Sequence, residues 1–62
     1  MTLTKVEQRT LNAVYDALEF GTLLPSMSEM NTLIEKGLIV ISTIGDAQQI
    51  TITDAGFNLV QF

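Results

Sequence analysis

The sequence predicts a small α+β domain with a long N-terminal helix, a short second helix, a two-stranded antiparallel hairpin and a short C-terminal helix. Apolar residues recur at steps of three and four in the first half of the chain, which is the period of a helix. A β-branched run and an alternating run follow in the second half and predict two strands. A chain of 62 residues has room for one domain only, so we expect residues 1–62 to fold as a single unit.

The first predicted element is an amphipathic helix from Thr4 to Phe20. Thr4 and Glu7 have the spacing of a capping box, in which each side chain accepts a hydrogen bond from the other residue's backbone amide. Gly21 supplies a left-handed stop. The apolar stripe expected to face the core comprises Val6, Leu11, Val14, Tyr15 and Leu18. The opposite face, expected in solvent, comprises Lys5, Gln8, Arg9, Asn12, Asp16 and Glu19.

An apolar connector at 23–25 leads to the second helix and is expected to pack beneath the domain. Pro25 presets the backbone for the first turn, and either Ser26 or Ser28 caps a helix that runs to about Lys36. The apolar positions of this helix are Met27, Met30, Leu33 and Ile34. Its outward positions are Ser28, Glu29, Asn31, Thr32 and Glu35.

A β-hairpin follows the second helix. Gly37 ends that helix, and the β-branched run at 38–43 predicts the first strand. A turn separates it from 48–53, where apolar and polar side chains alternate as they do in a half-buried strand. The residues expected to face the core are Ile39, Ile41, Ile50 and Ile52. Val40 and Ile44 then point away from the core, where an antiparallel strand usually carries polar side chains.

The chain closes with a short helix that begins near Thr53 or Asp54. Either side chain can cap the helix, and a carboxylate is favourable beside its positive N-terminal end. The apolar residues of this segment are Phe57, Leu59, Val60 and Phe62. Their number predicts that the segment docks back on the hairpin and the first helix.

The composition excludes several kinds of site. The chain has no His and no Cys, so it lacks the usual general base, the commonest transition-metal ligand and any disulfide or thiolate site. We therefore expect no metal and no other cofactor. No apolar run has the length of a membrane span, and none follows the N-terminus as in a signal peptide. The sequence thus predicts a cytoplasmic protein with no membrane partner.

The charge balance argues against nucleic acid and against catalysis. The formal net charge is −4, and the three cations are Lys5, Arg9 and Lys36. A strong duplex binder commonly neutralises about six to ten phosphates with Lys and Arg. The carboxylate pairs Asp16 with Glu19 and Glu29 with Glu35 are explained by solvated acidic faces, and no phosphate-binding glycine loop occurs. We predict that the chain is not an enzyme and has no small-molecule substrate.

Two phrases at the junctions of the predicted elements resemble those of winged-helix domains. The first closes the second helix and opens the first strand, as Leu33-Ile34-Glu35-Lys36-Gly37-Leu38-Ile39. The second ends the hairpin and opens the last helix, as Ile50-Thr51-Ile52-Thr53-Asp54-Ala55-Gly56. Gly37 turns sharply out of the helix, Thr53 caps the next one, and Gly56 permits close packing. The resemblance covers roughly 26–60 and implies a trimmed winged helix, because family members have three helices before the wing and only two fit here.

The resemblance implies a geometry for DNA that the charges of this chain oppose. In winged-helix proteins the helix equivalent to 26–36 enters the major groove, and the wing, here 43–48, touches the backbone or the minor groove. In this chain Glu29 and Glu35 face outward on that helix, and the wing tip offers Asp46 with no Lys or Arg. Carboxylates at these places repel phosphates, so we do not expect the usual mode of binding.

The favoured hypothesis is a non-catalytic protein–protein interaction module. It acts as a homodimer or as a docking factor or inhibitor on a larger host protein. The net charge and an apolar excess for so small a core support this hypothesis. The candidate interaction residues are Val40, Ile44, Phe57 and Phe62. Small acidic proteins of this kind suggest a phage or prophage origin by analogy of size and composition.

The alternative hypothesis is a small dimeric DNA-binding regulator that uses the helix at 26–36 and the wing at 43–48. Its candidate DNA contacts are Lys5, Arg9, Asn31, Thr32 and Lys36, with the three cations gathered on one side. A third possibility, acidic mimicry of DNA, lacks a run of acids with phosphate-like spacing. Salt separates the first two hypotheses, because it weakens duplex binding steeply and leaves apolar docking intact or stronger.

Overall fold

The computed structural model describes residues 2–61 of the chain. Along the sequence lie helix α1 (Lys5–Phe20), helix α2 (Met27–Glu35), strand β1 (Ile39–Ile44), strand β2 (Ala47–Ile52) and helix α3 (Asp54–Leu59). The two strands form one antiparallel sheet. The predicted α+β layout and the order of its elements are therefore confirmed.

Helix α1 begins and ends at the residues that the sequence indicates. The hydroxyl of Thr4 accepts a hydrogen bond from the Glu7 amide at 3.1 Å, and the Glu7 carboxylate accepts one from the Thr4 amide at 2.9 Å. Gly21 adopts the left-handed conformation with φ 73°, and its amide donates to the carbonyl of Ala17 at 3.0 Å. Orphan amides at the start and a carbonyl at the end of the helix are thereby satisfied.

The core lies where α1, α2, the start of β1 and the C-terminal segment meet. Its buried hydrophobic residues are Leu11, Val14, Met30, Leu33, Leu38, Ile39 and Val60. Thr10 is also buried, and its hydroxyl donates to the carbonyl of Val6 at 2.8 Å within the same helix. This bond lets a polar side chain share the buried face at little cost, because its donor is satisfied.

The predicted apolar stripe of α1 is too long for the core, and the structure corrects it at both ends. Val6 and Leu18 are exposed, and so is Met27 at the start of α2. The 16 residues of α1 span about 24 Å, whereas the nine residues of α2 span only about 13 Å. The shorter helix cannot cover the whole length of α1. The contacts of Lys36 with Glu7 and of Glu29 with Thr10 both lie in the first half of α1.

The connector between the two helices does not pack beneath the domain. The Leu23 side chain is 93% exposed and that of Leu24 is 48% exposed. The expectation of a buried connector was wrong because it rested on apolar composition alone. Helix α2 starts at Met27 with Ser26 as its N-cap, so the connector at 23–25 belongs to neither helix.

The hairpin has the predicted facing. Ile39 lies opposite Ile52 and Ile41 lies opposite Ile50, and these residues are buried or half-buried. The two-residue turn has Gly45 at φ 61°, and no other residue of the hairpin has a positive φ. A glycine at the first central position of such a turn is typical of type II′, whose twist matches that of the strands.

The start of α3 is fastened to the start of β1. Thr53 is the N-cap of α3 and accepts a hydrogen bond from the Gly56 amide at 3.1 Å. The Thr53 amide donates to the carbonyl of Leu38 at 3.0 Å, and its hydroxyl donates to the carbonyl of Gly37 at 2.7 Å. Gly56 is buried directly against Leu38, which confirms the predicted close approach.

The close approach at Gly56 yields a test of the fold. In Gly56→Ala the added Cβ would overlap the carbonyl oxygen of Leu38, which belongs to the backbone and cannot rotate away. We expect a loss of unfolding free energy of about 1–3 kcal/mol or more, measured by urea denaturation.

The matched control is Asn58→Ala on the exposed side of the same helix. Its stability should stay within about 0.5 kcal/mol of the parent, as surface substitutions usually do. Equal stability of the two variants would contradict the packing described at Gly56.

Candidate protein-interaction surface

The predicted interaction residues on the hairpin are both exposed. Val40 is 45% exposed and Ile44 is 65% exposed. They belong to the outer hairpin face, which consists of Val40, Ser42, Ile44, Ala47, Gln49 and Thr51. All residues of this face are exposed. The face thus presents two large apolar side chains on a mostly polar, uncharged surface.

The aromatic candidates lie elsewhere. Phe57 is on α3, and its half-exposed ring contacts the ring of Tyr15 on α1 with centroids 6.1 Å apart and a tilt of 57°. Phe62 lies outside the described residues. The contact with Tyr15 is one of the links that hold α3 on α1, so part of the Phe57 ring serves the fold.

Sequence reasoning missed an apolar groove on the other side of the sheet. The groove has a volume of about 510 Å³. It is lined by Leu18 of α1, Leu24 and Pro25 of the connector, Met27 and Met30 of α2, and 48–50 of β2. Its walls contain no charged residue. The signal for it in the sequence was the pair of leucines before Pro25, which we had assigned to the core.

The edge of β2 that borders the groove has free backbone groups. The turn pairs Ile44 with Ala47 across the hairpin. Pairing alternates along antiparallel strands, so the amides and carbonyls of Gln48, Ile50 and Ile52 point away from β1. The bond from the Thr53 amide to the Leu38 carbonyl fits this alternation, because Thr53 directly follows Ile52 and its amide points toward β1. Within residues 2–61 no backbone hydrogen bond joins this outer edge to another segment.

The cations proposed to contact DNA do not gather on one side. The ammonium of Lys36 forms an ion pair with the carboxylate of Glu7 at 2.7 Å. Glu7 lies two positions from both Lys5 and Arg9, which is about 200° around a helix of 3.6 residues per turn. Lys36 is therefore held on the far side of α1 from the other two cations.

Lys5 and Arg9 are exposed beside a shallow depression on α1 of about 530 Å³. The depression is lined by Lys5, Gln8, Arg9, Asn12, Ala13 and Asp16. On α2, Asn31 is exposed and Thr32 is half-buried. The five candidate DNA contacts are thus distributed over separate surfaces.

Two polar residues of α1 hold the C-terminal segment instead of facing solvent. The Gln8 amide nitrogen donates to the carbonyl of Leu59 at 2.7 Å, and the Asn12 side-chain oxygen accepts from the Gln61 amide at 3.0 Å. These bonds could not be predicted from local sequence patterns, because the partners lie 51 and 49 positions further along the chain.

The surroundings of Glu7 shift the titration of its carboxyl group. The ion pair with Lys36 lowers the pKa of the Glu7 carboxyl, and the hydrogen bond from the Thr4 amide lowers it further. A carboxyl with a lowered pKa in the folded state stabilises the fold above its unfolded pKa. That stability is lost as the pH falls through the folded pKa.

We expect the unfolding free energy of the Glu7→Gln variant to depend less on pH in the acid range than that of the parent protein. The parent protein should lose stability as the pH falls below the ordinary pKa of a glutamate, about 4.3. The variant should be less stable than the parent at pH 7 and lose less on acidification, as measured by urea denaturation at a series of pH values.

Glu35→Gln is the control, since Glu35 is exposed at the end of α2 and the change removes the same charge. An equal reduction of this dependence in both variants would show that net charge, and not the pair with Lys36, sets the pH dependence.

No three His, Cys, Asp or Glu side chains among residues 2–61 lie together so that they could hold a metal ion. No helix in the same range is long and apolar enough to cross a membrane. Comparisons of the chain with protein-family models, with curated proteins and with solved structures found no match.

Proposed function

We propose that this chain is a non-catalytic protein–protein interaction module, which acts as a homodimer or as a docking factor or inhibitor on a larger protein. One observation carries the proposal. Seven hydrophobic residues form the buried core of the described chain, whereas nine large hydrophobic side chains are exposed. Six further hydrophobic residues are partly buried against that core. Nine exposed large apolar side chains are still many for so small a fold, and such an excess is typical of a surface that another protein covers.

The distribution of the exposed apolar residues favours docking of a specific partner over non-specific association. Leu18, Leu24 and Met27 line the apolar groove, and Val40 and Ile44 share the outer hairpin face. Contiguous apolar surfaces give a partner something to cover, whereas scattered single residues do not. The proposal places this activity in the cytoplasm, in keeping with a chain that has no Cys.

The alternative, a small dimeric DNA-binding regulator, has less support. Lys36 is engaged by Glu7, which leaves Lys5 and Arg9 as the cations outside an ion pair in the described chain. Binding of a duplex rests mainly on neutralised phosphates, so two cations per copy give a weak electrostatic attraction. The resemblance to winged-helix domains stays a prediction, and it does not by itself imply DNA binding.

The test is the solution mass of the protein, measured by light scattering over a range of concentrations at low and high salt. A parallel series contains a generic DNA duplex. We expect the mass to rise with concentration, to rise no less at high salt, and to be unaffected by the duplex. A monomer that comigrates with the duplex at low salt and separates from it at high salt would overturn the proposal in favour of the regulator.

A pair of variants tests the facing of the hairpin on which the outer surface depends. Val40→Lys places the charge in solvent, so we expect a folded protein within about 1 kcal/mol of the parent. Ile52→Lys buries a charge without a partner beside Gly56 and the core, so we expect a loss of at least about 2 kcal/mol.

Urea denaturation followed by circular dichroism measures both variants. Equal destabilisation by the two substitutions would show that Val40 does not lie on an outer face. If Val40→Lys folds and also reduces the mass at high concentration, the outer hairpin face contributes to self-association.

A further inference from the structure

We propose that the apolar groove receives an extended segment of a partner protein, rich in apolar and basic residues, which adds to the free edge of β2 as a third strand. This inference rests on the proposed function and names its surface and the chemistry of its partner. Three independent features of the groove support it: its open backbone edge, its uncharged walls and its acidic surroundings.

The backbone edge provides the first part of the recognition. The amides and carbonyls of Gln48 and Ile50 point away from β1, and both residues line the groove. A strand that lies along this edge, about 4.8 Å away, would form backbone hydrogen bonds with these amides and carbonyls. Strand addition of this kind gives affinity through the main chain and is independent of the partner's side chains.

The walls of the groove provide the second part. Every second side chain of an added strand would lie on the same side of the sheet as Ile50, toward Leu24 and Met27. These walls are apolar, and the side chains of Met27 and Met30 adapt to partners of different shape. Apolar residues at alternate positions of the partner would fill this side, and the intervening residues would lie beside Gln49 on the outer hairpin face.

The charges around the groove select a basic partner. The charged residues nearest in sequence to its lining are all acids: Glu19 follows Leu18, Glu29 lies between the two methionines, and Asp46 precedes 48–50. Arg9 is the nearest cation along α1, nine positions before Leu18, which is about 13 Å, and Lys36 is paired with Glu7. With these acids beside it and a net charge of −4 on the chain, the groove would attract a segment with Lys or Arg.

A second copy of this chain is a poor occupant. Its strands β1 and β2 contain no Lys or Arg, and each copy carries a net charge of −4. Lys5 and Arg9 belong to a capped helix, which cannot add to a strand edge without unfolding. The occupant that fits the charge and the geometry is therefore an extended segment of another protein.

The experiment uses the full chain and a fluorescent eight-residue peptide of alternating Val and Arg, with both ends blocked. Binding is measured by fluorescence anisotropy. A second peptide has Glu in place of Arg. Two further peptides carry N-methyl groups on the amides of the Val residues or on those of the Arg residues, so that each blocks one edge of the strand and leaves the other edge intact.

The adjacent leucines of the connector give a matched pair of variants. Leu24 lines the groove and Leu23 does not, and both side chains are exposed enough for a lysine to be tolerated in the fold. Leu24→Lys and Leu23→Lys change the net charge equally. We expect Leu24→Lys to weaken binding of the Val–Arg peptide about tenfold or more and Leu23→Lys to weaken it less than about twofold.

The inference also requires that the Glu peptide bind much more weakly than the Arg peptide, and that one methylated peptide bind while the other fails. Failure of the Val–Arg peptide to bind, equal effects of the two lysine variants, or equal binding of both methylated peptides would overturn it. If Leu24→Lys abolishes self-association in light scattering, the groove is filled by a second copy and the inference is wrong.

These outcomes are distinguishable from a failure of the proposed function. A chain that forms a salt-resistant dimer in both lysine variants but ignores the peptide remains an interaction module without this groove as its site. A chain that binds the duplex in a salt-dependent way is the regulator, and the proposed function and the groove inference then fall together.

Discussion

The backbone at Leu38 holds the second half of this molecule together. Its carbonyl accepts from the Thr53 amide, and Gly56 packs against the same oxygen. The Leu38 amide also donates to the carbonyl of Leu33, so the end of α2, the start of β1 and the start of α3 are joined at this residue. A side chain on Gly56 would separate them. The position of α3 against the core therefore requires a residue without a Cβ at position 56.

The unequal lengths of the helices explain most of what the surface exposes. Helix α1 is seven residues longer than α2, so α2 cannot cover all of it, and the connector that follows α1 leaves Leu23 and Leu24 exposed. A longer second helix or a third strand on β2 would bury Leu18 and Leu24. The apolar groove is thus the space that an additional element of a larger α+β domain would occupy, which is why a segment from another protein is a physically reasonable occupant.

Features that depend on neighbouring residues could be predicted from the sequence, whereas those that depend on distant ones could not. The capping box of Thr4, the stop at Gly21 and the facing of the two strands follow from local spacing, and the structure confirms them. The groove, the Glu7 to Lys36 ion pair and the bonds of Gln8 and Asn12 each join segments far apart along the chain. Hydrophobic periodicity indicated which side chains are apolar, but not how far a short partner helix reaches along a long one.

The open sheet edge also affects how the protein behaves at high concentration. Both strands are uncharged, and β1 is an unbroken six-residue run of β-branched and hydroxyl side chains, which is a pattern prone to stacking between copies. Proteins commonly protect such edges with a lysine or a proline on the strand, and this chain has neither there. Its protection comes from the excess of acids elsewhere on the molecule, which keeps copies apart over a distance set by ionic screening. The acidic composition therefore opposes aggregation of a fold whose two-stranded sheet has an open outer edge.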